Sequence, residues 1–265
     1  MEKPAVQVET LTIGSECLQR PVRVDCFLPP SLYSSSSLTL LLINDGQDME
    51  KLGLRRMLEE LYQHNTISPL LCAGIHAGNR IMEYGTAQAA DYKGRGNKAG
   101  SYTKFIFNEL IPALQEAYPH FTIREKAIAG FSMGGLSALD IAWNHPAQFS
   151  TVGVFSGSLW WRTRGLEDGY VEDRDRIMHA QVRHEQGKPG LKFFFEAGTL
   201  DETMDRNHNG IIDAIDDTIT LIDELVKKGY HPNKDICYLE LEGGRHDIAT
   251  WAKAMPEFLK WGWGR

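Results

Sequence analysis

Cysteine is scarce in this sequence, and its four cysteines are widely separated. Cys17, Cys26, Cys72 and Cys237 show no C-x-x-C spacing. Three of the four lie in apolar, strand-like runs, where we expect buried thiols in the reduced state. This pattern disfavours a disulfide framework and agrees with a reducing compartment.

The sequence also lacks long apolar stretches and clusters of basic residues. No stretch approaches the roughly 18 apolar residues of a membrane-spanning helix, and residues 1–9 contain no apolar core of a signal peptide. Lysine and arginine are scattered and the net charge is -7, so neither nucleic acid nor an anionic membrane is indicated as a partner. We therefore expect a soluble, cytoplasmic protein; a signal peptide that has already been removed is the alternative.

The length and composition indicate an ordinary globular protein. The chain has 265 residues, of which 42% are hydrophobic and 24% charged. This length is sufficient for one sizeable core, so we expect residues 1–265 to form a single domain.

Strand-like and helix-like segments alternate along the chain. Short apolar runs predict strands at 22–28, 38–43, 70–75, 126–130, 151–155, 191–196 and 236–241. Helical spacing of apolar residues predicts helices at 50–64, 101–118, 136–143, 172–186, 217–229 and from about 247. Such alternation indicates an α/β fold with a mainly parallel sheet that helices cover on both faces. Residues 79–99 form a long, polar, Gly-rich loop, which favours a functional role.

The most informative motif is Gly130-Phe131-Ser132-Met133-Gly134. An apolar run precedes it and a helix-like run follows, which is the strand, turn and helix context of a nucleophile elbow. Because glycine has no side chain, Gly130 and Gly134 leave room for Ser132 in a very tight turn. Ser132 is therefore the candidate nucleophile; the alternative is an ordinary Gly-rich turn before a helix.

Partners for Ser132 are expected where later strands end, because reactive groups gather at the carboxyl ends of parallel strands. Asp201 and Glu202 follow the strand at 191–196, and His246 follows the last strand in a Gly-rich segment. The order serine, acid, histidine suits a serine hydrolase on such a sheet. Asp201 is the first choice for the acid, Glu202 the second and Glu196 the third; the alternative is that such acids cap loops or helices.

Other residues are candidates for the oxyanion hole and the substrate pocket. The backbone N–H groups of Met133, after the nucleophile, and of Gln47, after an early strand, would hold the oxyanion. His76 also lies at a strand end and is a candidate pocket residue. Trp160 and Trp161 follow another strand and would form either a hydrophobic pocket or part of the core.

These residues together resemble the putative-esterase family of α/β-hydrolases, which includes enterochelin esterases, feruloyl esterases, S-formylglutathione hydrolases and mycolyltransferases. The resemblance is carried by residues 42–47, Asn79-Arg80 with Glu83-Tyr84, 102–112, 127–136, His145-Pro146, 155–158, and Gly243-Gly244 with His246-Asp247 and Trp251.

The resemblance implies an α/β-hydrolase fold in which Ser132 is the nucleophile, His246 the base, and the Gln47 and Met133 amides the oxyanion hole. It also implies that Arg80, in the family's central loop, lies at the substrate pocket. For the acid it points two ways, since feruloyl-type members place Asp where Asp201 stands and mycolyltransferases place Glu where Glu202 stands. Arg245 interrupts the usual Gly-Gly-His run, and we expect it to shift His246.

A second motif, at 205–216, fits a twelve-residue calcium loop, and we call it the candidate calcium loop. Oxygen ligands would come from Asp205, Asn207, Asn209, the Ile211 carbonyl, Asp213 and Asp216. Gly210 stands at the sixth position, and the twelfth is Asp in place of the usual Glu, as in dockerin-like loops, which this segment resembles. The alternative is a polar turn that caps the next helix.

The sequence therefore predicts a serine carboxylesterase that acts on a small-molecule ester, with a structural Ca²⁺ and no catalytic cofactor. An acyltransferase or thioesterase would use the same residues, and a non-catalytic binding protein with this fold is the alternative from another class. The sequence indicates neither the acyl and alcohol parts of the substrate nor an oligomeric state.

Overall fold

Eight strands form one sheet in the computed structural model, which describes residues 5–30 and 37–265. The strands are β1 Gln7–Ser15, β2 Arg20–Leu28, β3 Ser37–Asn44, β4 Leu70–Ile75, β5 Thr122–Phe131, β6 Thr151–Phe155, β7 Lys192–Leu200 and β8 Ile236–Arg245. Their order across the sheet is β1-β2-β4-β3-β5-β6-β7-β8. The pairs β1/β2 and β2/β4 are antiparallel, and all the others are parallel. The expected mainly parallel sheet is confirmed.

Helices cover both faces of this sheet. They are α1 Met49–Leu52, α2 Leu54–Gln63, α3 Arg80–Glu83, α4 Ala99–Phe105, α5 Ile111–Ala117, α6 Met133–Asn144, α7 Glu172–Asp175, α8 Ile177–His184, α9 Asp213–Lys227 and α10 Ile248–Trp263. Apolar side chains of α4, α5, α6, α8 and α9 pack on one face, and those of α1, α2 and α10 pack on the other. Burial of both faces explains why the central strands are continuous apolar runs.

Three elements differ from the sequence-based expectation. β1 was not predicted, because it is an edge strand whose side chains are mostly exposed and which therefore has no apolar run. The helix expected over 172–186 is divided at Arg176, whose extended backbone turns its guanidinium inward to Asp217, with Nη1 2.6 Å from Oδ1. A π-helical turn at Ile106–Leu110 separates α4 from α5 just before Pro112, which has no N–H for the helical ladder.

The burial expected for the three strand cysteines is confirmed for Cys26 and Cys72 but not for Cys237. All four cysteines are unpaired; Cys26 and Cys72 are buried, whereas Cys17 and Cys237 are only half-buried. Over residues 5–30 and 37–265, no helix has both the length and the apolar character needed to cross a bilayer.

Candidate active site

Ser132 occupies the tight turn between β5 and α6. Its backbone angles, φ 54° and ψ -119°, are rare for a residue with a side chain. Gly130 and Gly134 allow this turn, because a Cβ on Gly130 would collide with the Gly134 carbonyl. The Ser132 N–H donates to the Phe155 carbonyl at 2.9 Å, which continues the pairing of β5 with β6. The strand, turn and helix context predicted around Ser132 is therefore present.

An open cleft of about 370 Å³ lies above this turn. The predicted site residues that line it are Arg80, Ser132, Met133, Trp160, Asp201, Glu202 and His246. They come from five different segments, which meet because the carboxyl ends of neighbouring parallel strands share one edge of the sheet.

Two residues predicted for the pocket, His76 and Trp161, lie outside this cleft. His76 lines a different cavity of about 560 Å³, which Gln47 also lines. Asp25 holds His76 there, with 2.6 Å between Nε2 and Oδ2, so His76 is not a residue of the Ser132 cleft. Trp161 is fully buried beneath Gly85 and Gly96. Of the two alternatives for the tryptophans, Trp161 is therefore part of the core, and only Trp160 lines the cleft.

The three candidate catalytic side chains share the cleft without hydrogen bonds to one another in the part of the chain that the structure describes. The Ser132 Oγ lies 3.2 Å from the Ser158 Oγ. The His246 ring packs edge to face on Trp251, with 5.3 Å between centroids. Catalytic hydrogen bonds are often long or poorly aligned before substrate binds, so their absence among the described residues does not exclude these three as a triad.

His246 follows β8 directly, whereas the sequence predicted a Gly-rich loop between the last strand and His246. β8 continues through Gly243 and Gly244 to Arg245, which pairs with Leu200 of β7. Because Gly243, Gly244 and Arg245 are part of β8, His246 lies in a short turn between β8 and α10.

The surroundings in the cleft lower the pKa of His246 and raise that of Asp201. His246 retains an exposed surface. Partial desolvation of its imidazole nevertheless lowers its pKa, and the positive charge of Arg80 lowers it further, against the attraction of Asp201. Burial raises the pKa of Asp201, while the neighbouring His246 opposes that rise. A neutral imidazole is the form that accepts a proton from a serine.

Arg80 connects the loop after β3 to the nucleophile turn. Its Nε and Nη2 donate to Oδ1 and Oδ2 of Asp45 at 2.9 and 3.1 Å, and Nη2 also donates to the Phe131 carbonyl at 3.0 Å. Asp45 is almost fully buried and has a left-handed backbone, with φ 64°. Sequence reasoning missed Asp45, although an acid between a buried strand and Gly46 was a signal for such a role.

Further hydrogen bonds fix the same loop. The Asn44 Nδ2 donates to the Gly134 carbonyl at 2.8 Å, and the Tyr102 hydroxyl donates to Asn44 Oδ1 at 2.6 Å. The Asp45 N–H donates to the Tyr84 hydroxyl at 3.0 Å. The 79–99 segment, which we expected to be functional, thus supplies both Arg80 and Tyr84 to this support.

Trp160 forms an aromatic wall of the cleft between two guanidinium groups. The Arg95 guanidinium lies 4.9 Å from the Trp160 ring centroid, and that of Arg162 lies 5.9 Å away. Arg162 also lies 5.1 Å from the Tyr92 ring. A cation over an aromatic ring is attracted to it electrostatically. Arg95 is also ion-paired with the buried Asp91, so the positive charge at this aromatic wall comes from Arg162.

Comparison with known proteins identifies the family. A model described as putative esterase matches residues 15–261. The chain belongs to the putative esterase family. The uncharacterised protein YjcH of Bacillus subtilis (strain 168) is 26% identical over 163 residues, which cover 61% of this chain and 64% of that protein. Iron(III) enterobactin esterase of Escherichia coli (strain K12) is 26% identical over 155 residues, which cover 58% of this chain and only 34% of that protein.

A solved structure confirms the fold of this putative esterase family member. The enterobactin esterase FES from Shigella flexneri, in the presence of enterobactin, superposes with a TM-score of 0.74 at 21% identity. The superposition covers 97% of this chain and 58% of that chain. The α/β-hydrolase fold expected from the sequence is thereby confirmed.

The candidate calcium loop of this putative esterase family member lies between β7 and α9. Asp216 accepts from Nδ2 of Asn207 at 3.2 Å and from Nδ2 of Asn209 at 2.8 Å. The carboxylate of Asp205 accepts the backbone N–H groups of Asn209 and Gly210 at 3.1 and 2.9 Å. These hydrogen bonds connect four of the predicted ligand residues, Asp205, Asn207, Asn209 and Asp216, in one network.

Asp213, another predicted ligand, has different partners. Its carboxylate accepts the Arg206 N–H at 2.9 Å and lies 3.1 Å from the Arg206 Nη1. The described residues contain one group of three acids close enough to share a cation, Glu172, Asp216 and Asp217. Arg206 forms ion pairs with Glu172 and Asp217, so that group is already neutralised.

Proposed function

We propose that this chain is a serine carboxylesterase that acts through an acyl-enzyme. The observation that carries the proposal is the strained Ser132 turn, which opens into the same cleft as His246 and Asp201. A nucleophile, a base and an acid from three strand ends are the parts that acyl transfer needs.

In the proposed reaction Ser132 attacks the ester carbonyl while His246 accepts the serine proton and later returns it to the leaving alcohol. Asp201 holds the imidazole in the correct tautomer. The backbone N–H groups of Met133 and Gln47 hold the oxyanion. Because the Ser132 Oγ contacts the Ser158 Oγ in the structure, its hydroxyl must turn toward His246 when substrate binds.

We propose a siderophore ester as the substrate class. The name of the E. coli relative, iron(III) enterobactin esterase, supports this assignment. The Trp160 wall, flanked by Arg95 and Arg162, suits an aromatic group that carries negative charge. A feruloyl ester is the alternative aryl substrate that the family resemblance implies.

Labelling with a fluorophosphonate probe and hydrolysis of a panel of siderophore, feruloyl and short acyl esters test the function. Ser132→Ala should abolish labelling and lower turnover by about 10⁴-fold or more, because the nucleophile is lost while packing is kept. Ser150→Ala, the same change just before β6 at the opposite edge of the sheet, is the matched control and should behave as the parent. Near-normal turnover in a pure Ser132→Ala preparation would contradict the mechanism, and acyl transfer to added alcohols would indicate an acyltransferase.

We also propose that the candidate calcium loop holds a structural Ca²⁺. The donors are carboxylate and amide oxygens, the ligands that calcium prefers. Because the O and N atoms of an Asn amide are interchangeable by a half-turn, Asn207 and Asn209 can present Oδ1 where their Nδ2 groups now contact Asp216. The Ile211 carbonyl would complete this set, and Asp213 would join it only through water, since Arg206 holds its carboxylate. Asp205 lies four residues after Asp201, so the ion would fix the segment that carries the acid.

A further inference from the structure

Three buried carboxylate oxygens beside the cleft have no hydrogen-bond partner among the residues that the structure describes. They are Oε1 of Glu196 and both Oδ atoms of Asp201. An ionised carboxylate that is buried without a partner is strongly destabilised. These two groups therefore require a proton, a partner or both.

The backbone places the two carboxyl groups on the same face of β7. Residues two apart on a strand point to the same side, so Glu196 and Gly198 share a face. The chain turns back after Leu200, and the Asp201 N–H donates to the Gly198 carbonyl at 3.2 Å. The Asp201 Oδ1 lies 2.8 Å from the position that a Cβ on Gly198 would occupy. The Asp201 carboxylate thus fills the space of the missing side chain next to Glu196.

The other groups around Glu196 leave only one of its oxygens uncommitted. Its Oε2 lies 3.4 Å from the Ser156 Oγ, which also accepts the Trp251 Nε1–H at 2.9 Å. Oε1 is the oxygen without a partner. Ser156 also lies close enough to Asp201 to favour its ionised form. A proton on Oε1 would supply a further donor to the Asp201 carboxylate, whose two oxygens have no closer partner.

Protonation of Glu196 follows from burial and charge. Glu196 is 1% exposed, and two carboxylates at such a site cannot both ionise readily. Burial, together with the charge of Asp201, raises the pKa of Glu196 to about 8. Among the described residues, the titratable groups that face the pair are Tyr238 of β8 and, after β8, His246 and Asp247. His246 acts on Asp201, so Asp201 is the member that ionises.

We infer that Glu196 is a positioning residue: as a neutral carboxylic acid it donates a hydrogen bond to Asp201 and holds that carboxylate toward His246. This inference rests on the proposed function of Asp201 as the triad acid. When Glu196 loses its proton, the donor is replaced by a second negative charge that repels Asp201. The alignment of His246 is then lost, so turnover should decline as the pH rises through about 8.

Two variants, Glu196→Gln and Glu196→Met, distinguish the effect of the hydrogen-bond donor at position 196 from the effect of its negative charge. Gln retains a neutral donor of the same shape, so kcat at pH 7 should stay within about threefold of the parent and the decline above pH 8 should disappear. Met removes the donor, so kcat should fall by about 10- to 100-fold while KM stays nearly unchanged. A loss of this size is what one hydrogen bond to a charged group contributes. Glu240→Gln, the same change at an exposed site on β8, is the control and should retain the alkaline decline.

Infrared difference spectra give a measurement that does not depend on activity. Parent protein at pH 7 should show a protonated-carboxyl band that is absent from Glu196→Gln and lost above about pH 8. Asp140, a second buried acid whose pKa burial raises to about 7, is present in both proteins and cancels in the difference. The same band in Ser132→Ala would support the inference even if the esterase proposal failed.

Two results would overturn the inference. The first is that the parent protein and Glu196→Gln show the same protonated-carboxyl absorption at pH 7, since Glu196 would then be ionised at neutral pH. The second is a loss of kcat in Glu196→Gln as large as that in Asp201→Asn, since Glu196 would then be the triad acid itself.

Discussion

At the scale of single residues, the three acids near the end of β7 have different surroundings. Glu196 lies inside the sheet and faces Asp201, while Asp201 faces His246. Glu202 also lines the cleft. Burial raises the pKa of both Asp201 and Glu202, but the neighbouring charge that acts most on Asp201 is His246, whereas the one that acts most on Glu202 is Asp213 in the candidate calcium loop. The surroundings therefore favour Asp201 as the acid that orients His246.

Asp201→Asn should lower kcat by about 10³- to 10⁴-fold, because an amide stabilises the wrong imidazole tautomer and cannot stabilise the imidazolium. Glu202→Gln should change kcat by less than about tenfold, since it removes a charge that does not face His246. Steady-state kinetics of both variants on one ester measures the ranking, and melting temperatures show that each is folded. The opposite ranking would mean that Glu202 is the acid.

At the scale of elements, the loop between β3 and α1 depends on a contact made from α3. Arg80 binds both oxygens of Asp45 and also the carbonyl before Ser132. The side chain of Arg80 is 34% exposed and that of Asp45 only 4%, so the pair is partly desolvated and more rigid than a surface ion pair. Arg80 thus supports the candidate oxyanion loop as well as lining the cleft.

Arg80→Lys tests this support. One ammonium cannot span two carboxylate oxygens and a carbonyl in fixed geometry, so kcat should fall by about 10- to 100-fold while KM changes little. Arg55→Lys, in the exposed pair with Glu59, is the matched control and should have no measurable effect. A rise in KM at unchanged kcat would show instead that Arg80 acts by binding substrate.

At the scale of the whole molecule, the candidate calcium loop links the active-site edge of the sheet to α9. It begins four residues after Asp201 and ends within the first turn of α9. The adjacent ion-pair network of Arg176 and Arg206 with Asp217 connects this helix to the loop and to α8. Order in the loop should therefore affect both stability and the position of the acid.

Removal of Ca²⁺ should lower the melting temperature, because an ion that binds only the native state stabilises it by linkage. The Asp205→Ala, Asp216→Ala double variant should show the same loss and no response to chelator. Calorimetric titration of chelated protein with Ca²⁺ measures binding, and Asp223→Ala, an exposed acid on α9, is the control. Absence of binding heat, with the double variant melting as the parent does, would show that the loop is a plain polar turn.

Local rules were sufficient for much of the molecule. Apolar runs predicted the central strands, since a strand buried on both faces has no polar side. Glycine spacing predicted the Ser132 turn, because only a residue without a side chain fits beside it. The sequence did not predict β1, because most of its side chains are exposed and it has no apolar run. It also predicted one helix over 172–186, which is divided at Arg176, where the guanidinium binds Asp217 from a distant part of the chain.

The sequence by itself determined the fold class, the position of Ser132 and the order in which its candidate partners follow, because these depend on local sterics and on the period of apolar residues. Only the tertiary structure decided that Arg80 joins Asp45 to the nucleophile turn and that Glu196 lies beside Asp201. It also decided that β8 extends to Arg245 and leaves His246 in a short turn. These features depend on which strands are neighbours and on how burial strengthens charge interactions, and neither is set by residues adjacent in the chain.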